Sequence, residues 1–138
     1  MSNTITNTPN RVIITTTRAP GVQQFLYQVQ VFTVPGVLSV GQGRARLVLP
    51  GAVTLNKIRA TVGNVPLGSE ITIDVNKNNT TVFTNQANRP KIYPGEHTVT
   101  ATPDVTVIAP EDYITVDIDT VGSVFAGENL VVQIELTP

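Results

Sequence analysis

A few side chains in this sequence have the types and spacing that chemistry requires. His97 is the only histidine, which excludes any site built on two imidazoles and leaves a Ser/His/Asp nucleophile resting on one residue beside Pro94-Gly95. Its simplest reading is an exposed loop histidine. Asp117 and Asp119 stand two residues apart on one strand face, as the two carboxylates of a glycosidase could. On an outward face the same pair reads more simply as solvated surface. Asp74, Asn76 and Asn78 imitate the first half of a calcium loop, but Asn79 stands where its glycine belongs and Asn85 where its bidentate glutamate belongs. Asn78-Asn79-Thr80 and Asn79-Thr80-Thr81 match the glycosylation sequon, and with no secretory signal they read as turn residues. Gly36, Gly41, Gly43, Gly63, Gly68 and Gly95 form no phosphate-binding pattern ahead of a helix. With no cysteine, disulfides, thiolate chemistry and the common cysteine-containing zinc sites are excluded as well. The expectation is a protein that is not an enzyme, with no catalytic, cofactor-binding or metal-binding residues.

The elements that would hold such residues are strands. Ten prolines and ten glycines supply frequent chain reversals and disfavour long helices. Abundant Thr and Val favour pleated, half-buried surfaces. The plainest case is the segment Asn56 to Pro90. Ile71, Ile73 and Val75 alternate with Thr72, Asp74 and Asn76, so one strand face is apolar and the other polar. Lys77, Asn78 and Asn79 then break the pattern before Thr81, Val82 and Phe83 resume it. Asparagine tolerates the positive φ of a tight hairpin turn, so the chain is expected to double back there.

Elsewhere the same logic places one short strand at Val12 to Ile14 within a polar segment closed by Ala19-Pro20-Gly21. It places another at 22–32, where Phe25, Tyr27, Val29 and Val31 alternate with Gln24, Leu26, Gln28 and Gln30; a helical stripe through Val22, Phe25, Leu26 and Val29 is the weaker match. Pro35-Gly36 and 41–43 bracket a turn region. Further strands follow at 44–49, 53–62 with a bulge near Asn56-Lys57, 98–102, 105–108, 113–121 and 130–136. Leu130, Val132, Ile134 and Leu136 share one face of the last strand, opposite Val131, Gln133 and Glu135. About eight strands with turn signals every 8 to 12 residues predict an all-β, antiparallel two-sheet sandwich, jelly-roll-like. The organisation expected is an extended N-terminal arm at 1–21 and a sandwich domain at 22–138. No internal repeat of fixed period supports a solenoid or propeller.

Charge limits the partners. Charged residues make up 14% of the chain and the formal net charge is −1, with the basic residues scattered, so neither nucleic acid nor an anionic membrane is an expected partner. The N-terminus lacks the basic start and apolar run of a signal peptide, and no run approaches the roughly 20 apolar residues of a membrane span. Synthesis in a cytoplasm is the expectation. A low-charge surface rich in Thr and amides also favours self-association, because such faces lose less on desolvation than faces covered with Lys and Glu.

The spelling of the chain adds a family. From about residue 40 to 138, KIRATVGNVPLGSEITIDVNKNNTTVFTNQANRP, ATPDV, DYITVDIDTVGS and NLVVQIEL resemble a small β module that recurs in virion structural proteins of tailed bacteriophages. The shared marks are Val62-Gly63, Pro66, Gly68-Ser69, Asp74, Asn76-Lys77-Asn78, Thr102-Pro103-Asp104-Val105, Asp112-Tyr113, Asp117, Asp119, Val121-Gly122-Ser123, Ala126-Gly127 and Val132-Gln133-Ile134. Asn79 replaces the usual turn glycine, a change that asparagine's tolerance of positive φ makes harmless. The resemblance implies a structural component of a bacteriophage particle, made in the host bacterial cytoplasm, and no catalytic residues.

Within such a particle, a small module with an arm in front suits a capsid decoration or cement protein on the capsid surface. Its partners would be the major capsid protein or other virion proteins, together with copies of itself as a dimer or trimer. Thr4 to Thr17 would help anchor it on the shell by adding a strand to an exposed sheet edge. The alternative is a tail-fibre or baseplate-associated module that binds a receptor glycan; with three tyrosines and no tryptophan to stack on a sugar, it ranks second.

Overall fold

The computed structural model describes residues 2–8, 11–17, 25–41 and 45–138, and for 2–8, 11–17 and 25–27 the backbone alone. Among the described residues, twelve strand segments run in chain order: β1 (Ser2–Thr8), β2 (Arg11–Thr17), β3 (Phe25–Val37), β4 (Arg46–Val48), β5 (Val53–Asn64), β6 (Ile71–Lys77), β7 (Thr80–Thr81), β8 (Lys91–Ile92), β9 (Thr98–Ala101), β10 (Val107–Ile108), β11 (Tyr113–Thr120) and β12 (Glu128–Thr137). One short 3-10 turn, Gln86–Asn88, lies between β7 and β8.

All pairings given for these strands are antiparallel, in two sheets. The larger has the order β1-β2-β3-β12-β5-β10, with β9 also on β5. The smaller has the order β4-β11-β6-β7, with β8 also on β6. From β3 onward the chain crosses repeatedly between the sheets, with β6 to β8 together in the smaller and β9 and β10 together in the larger, and its last two strands insert into their middles, β12 between β3 and β5 and β11 between β4 and β6. That arrangement is a jelly roll, a two-sheet sandwich as the alternation predicts.

The core lies between the inner faces. Leu55, Ile58, Ala60 and Val62 on β5 and Leu130, Val132, Ile134 and Leu136 on β12 meet Ile71, Ile73 and Val75 on β6 and Ile114 and Ile118 on β11, all buried. Each large aliphatic side chain so buried contributes about 1.5–3 kcal/mol. The expected faces of β6, β11 and β12 are those observed. The expected bulge is also present: Glu135 pairs with Lys57 and Leu136 with Leu55, leaving Asn56 as the extra residue. Without it Leu55 and Ile58 would point to opposite sides, since faces alternate at every residue.

Other expectations need correction. Where one short strand is expected at 12–14, β1 and β2 pair along seven residues and β2 pairs with β3, so both add to the larger sheet. Their Thr-rich sequence suits a pleated ribbon, and the far edge of β3 supplies unpaired backbone groups to build on. Pro35-Gly36 does not end a strand. β3 runs through to Val37 because the pair is absorbed in a bulge: Leu130 pairs with Val34 and Glu128 with Val37, while the Gly36 N–H donates to Asn129 Oδ1 at 2.8 Å. The parts of the expected strands at 22–24 and 44, the stop at 19–21 and the turn at 42–43 lie outside the described residues.

Several residues that carry the family resemblance serve this packing. A Cβ on Gly122 would fall 1.9 Å from the Phe125 carbonyl oxygen, so only glycine lets the two segments cross. Beside it Ser69 Oγ accepts from the Ser123 N–H at 3.0 Å and donates to the Val121 carbonyl at 3.3 Å.

Candidate functional site

The outward polar residues of β6 and β11 come together in one cleft. Register sets Thr115 opposite Asn76 and Asp117 opposite Asp74, so these four side chains share the outer face of the smaller sheet. At the next step β11 bulges, with Ile118 opposite Ile73 and Thr120 opposite Thr72, and Asp119 is the extra residue. Asp119 is thereby brought to Arg89, which binds it through Nη1.

The far wall comes from the connection after β6. Asn78 and Asn79, with φ of 51° and 66°, form the two-residue turn of the β6–β7 hairpin, as the sequence predicts. The second arm is shorter than expected: β7 ends at Thr81, the Val82 N–H still donates to the Val75 carbonyl at 2.9 Å, and Val82 and Phe83 bury fully in the core. The chain then runs beside β6, where the Ile73 N–H reaches the Pro90 carbonyl at 3.0 Å, before β8 pairs with β6 again. This detour carries Thr81, Gln86 and Arg89 up beside the sheet face. The cleft so formed has a volume of about 610 Å³ and is lined by Asp74, Asn76, Asn79, Thr81, Gln86, Thr115, Asp117 and Asp119.

Its electrostatics follow from the register. Asp74 and Asp117 are like charges placed directly across a strand pair, an arrangement that costs stability unless donors intervene. Donors do intervene. Thr81 Oγ1 and the Val75 N–H both donate to Asp74 Oδ1, at 2.6 and 2.8 Å, and Asn76 Nδ2 donates to Asp117 Oδ2 at 2.8 Å. Asp74 is only 7% exposed. That burial pushes its carboxyl above the usual range, the Thr81 hydrogen bond opposes the shift, and the charge of Asp119 adds to it.

The residues singled out in the sequence have different fates. Asp117 and Asp119 are on one face as expected, but they line a cleft with Asp74 instead of an open surface. Asn78 is turned away from Asp74 and Asn76: its Nδ2 donates to Asp112 Oδ1 at 2.8 Å and its Oδ1 accepts from the Tyr113 N–H at 3.1 Å. The three calcium-loop positions therefore do not converge. Thr80 and Thr81, the third residues of the two sequons, form β7. His97 is exposed on the other sheet, where its Nδ1 lies 3.0 Å from the Val62 carbonyl and its own carbonyl accepts from the Val62 N–H at 2.9 Å. Thr115, Thr81 and Gln86 were not expected as cleft residues; the one available signal was that Thr115 shares the face of Asp117 and Asp119.

No family model matches the chain, and no curated protein matches it. Among solved structures it is similar to a family 35 carbohydrate binding module from Clostridium thermocellum, at 10% identity over 99% of this chain and 98% of that one, with a TM-score of 0.35. It is also similar to the hydroxypropylphosphonic acid epoxidase from S. wedmorenis, at 12% identity over 96% of this chain and 55% of that one, with a TM-score of 0.25. Likenesses this loose carry no argument about ligand or activity. Among the described residues, no helix is long and apolar enough to cross a membrane.

Proposed function

We propose that this chain is a structural protein of a tailed-bacteriophage particle, a capsid decoration or cement protein that binds the shell and stabilises it. The resemblance in spelling over residues 40 to 138 motivates the setting. The observation that carries the mode of binding is the position of β1, a seven-residue strand at the outer end of the larger sheet. An edge strand presents a row of N–H and C=O groups that a strand of a shell subunit, or of a second copy of this chain, can pair with. Anchoring then works by edge addition and not by an arm draped over the shell.

Deletion of residues 1–18 tests this reading. It should leave the jelly roll folded by circular dichroism, since β3 to β12 contain every core residue among those described, and should abolish binding to purified particles. Undiminished binding by the shortened chain would refute it.

A further inference from the structure

We propose that the cleft on the outer face of the smaller sheet is a binding site for a neutral, polyhydroxylated ligand, a sugar of one or two rings. This is independent of shell docking, which uses the edge of the other sheet.

The hydroxyl of Thr115 is the most telling group. Thr115 is 6% exposed, lines the cleft, and has no hydrogen-bond partner among the described residues. No buried side-chain polar atom among those residues lacks a partner, so this hydroxyl opens onto the cleft. Asp74 repeats the pattern: both its protein hydrogen bonds fall on Oδ1, leaving Oδ2, in the cleft that Asp74 lines, as an acceptor without a protein donor among the described residues. Asn79 adds an amide at the rim, on a left-handed turn residue fixed by the hairpin. A hydroxyl and a carboxylate oxygen on two largely buried residues, both without a protein partner among the described residues and open to the cleft, are groups a ligand can engage.

The chemistry of that ligand follows from the lining. A carboxylate only accepts, whereas a threonine hydroxyl and an asparagine amide both donate and accept. Sugar hydroxyls match both behaviours at once, and adjacent ones can bridge Asp74 to Thr115 across the strand pair. The volume of about 610 Å³ lies within the usual range for small-ligand sites. A cation fits less well, because Arg89 already pairs with Asp119 and no group of three or more His, Cys, Asp or Glu among the described residues is arranged to hold a metal ion. Among the described residues no aromatic ring lines the cleft, so binding rests on hydrogen bonds and is weak, roughly millimolar.

The test is a two-dimensional amide NMR titration of the full chain with glucose, galactose, N-acetylglucosamine, lactose and cellobiose, each to about 50 mM. Lysine methyl ester and calcium chloride serve as cationic probes. At least one sugar should give saturable shifts centred on Asp74 to Thr81 and Thr115 to Asp119. Thr115→Val, which keeps the side-chain shape, should weaken that binding about tenfold or more. Asn79→Gly, which suits the positive φ and preserves the turn, should weaken it less and keeps the test decisive if Thr115→Val does not fold. Saturation by none of the sugars, response to lysine methyl ester or calcium alone, or sugar binding unchanged in both variants would overturn the proposal.

Discussion

Strands β5 and β6 alternate apolar and polar residues in the same way, yet their polar faces meet different environments. On β5, Thr54, Lys57 and Arg59 point outward and are exposed, and their neighbours are cross-strand threonines: Arg59 Nε donates to Thr100 Oγ1 at 3.2 Å and Lys57 Nζ to Thr102 Oγ1 at 2.7 Å. On β6, Thr72, Asp74 and Asn76 also point outward, but they are 2%, 7% and 9% exposed. The difference is the chain that follows. After β5 the chain crosses to the other sheet, whereas after β6 it turns at Asn78-Asn79, dips into the core through Val82 and Phe83, and climbs back with Gln86 and Arg89 beside the sheet face. Period-two alternation decides which side a residue takes, and only the covering segment decides whether that side is solvent or a cleft.

Removing the anchor of the covering segment should have the largest effect. Phe83 is fully buried, and Phe83→Ala should destabilise the fold by about 3–5 kcal/mol in urea denaturation. A cost below about 1 kcal/mol would mean that the segment is not held by the core. Next comes a matched pair of arginines. Arg89→Ala removes the partner of Asp119, whose side chain is 27% exposed, and the Nε donation to the Gln86 carbonyl at 2.9 Å, and should cost about 1–2 kcal/mol. Arg59→Ala, on the open face, should stay within about 0.5 kcal/mol. Equal costs would break the comparison.

Smaller effects appear with pH, and their signs differ between sites. The folded state of Asp74 holds its proton to higher pH than the unfolded chain does. Its contribution to stability is therefore most favourable below the usual carboxylate range and declines as pH rises through the raised folded value. Asp74→Asn keeps the acceptor for Thr81 and Val75, so it should raise the melting temperature above about pH 6 and change it little below about pH 3. Asp104 does the opposite. The Asn85 N–H and the Asn88 amide hold its carboxyl below the usual range, so the stability it adds is present at neutral pH and lost as pH falls. Asp104→Asn should lower the melting temperature slightly at pH 7 and leave it unchanged in acid. Thermal melts of both variants from about pH 3 to 8 would show the opposite slopes.

Local physics made much of this fold legible in the sequence. The apolar faces of β6, β11 and β12, the two-asparagine turn and the bulge at Asn56 all follow from alternation and turn chemistry within a few residues. What was not legible depends on distant partners. Pro35-Gly36 reads as a stop, but Asn129, far along the chain, receives the Gly36 N–H and lets the strand continue. The Thr-rich start reads as an arm because its pairing partner, β3, lies beyond a further stretch of chain. The cleft was half visible: Asp117 and Asp119 stood out, while the wall that turns their surface into a site is built by residues 82–90, whose path no local pattern specifies.

The central claim, that this chain is a structural component of a virion docked by its outer strand, is tested most directly by cryo-electron microscopy of purified particles made in cells that produce it. Jelly-roll density is expected on the shell surface, with the edge formed by β1 paired against a shell subunit or a second copy. Particles that lack the chain, or that hold it with the β1 edge facing solvent, would contradict it.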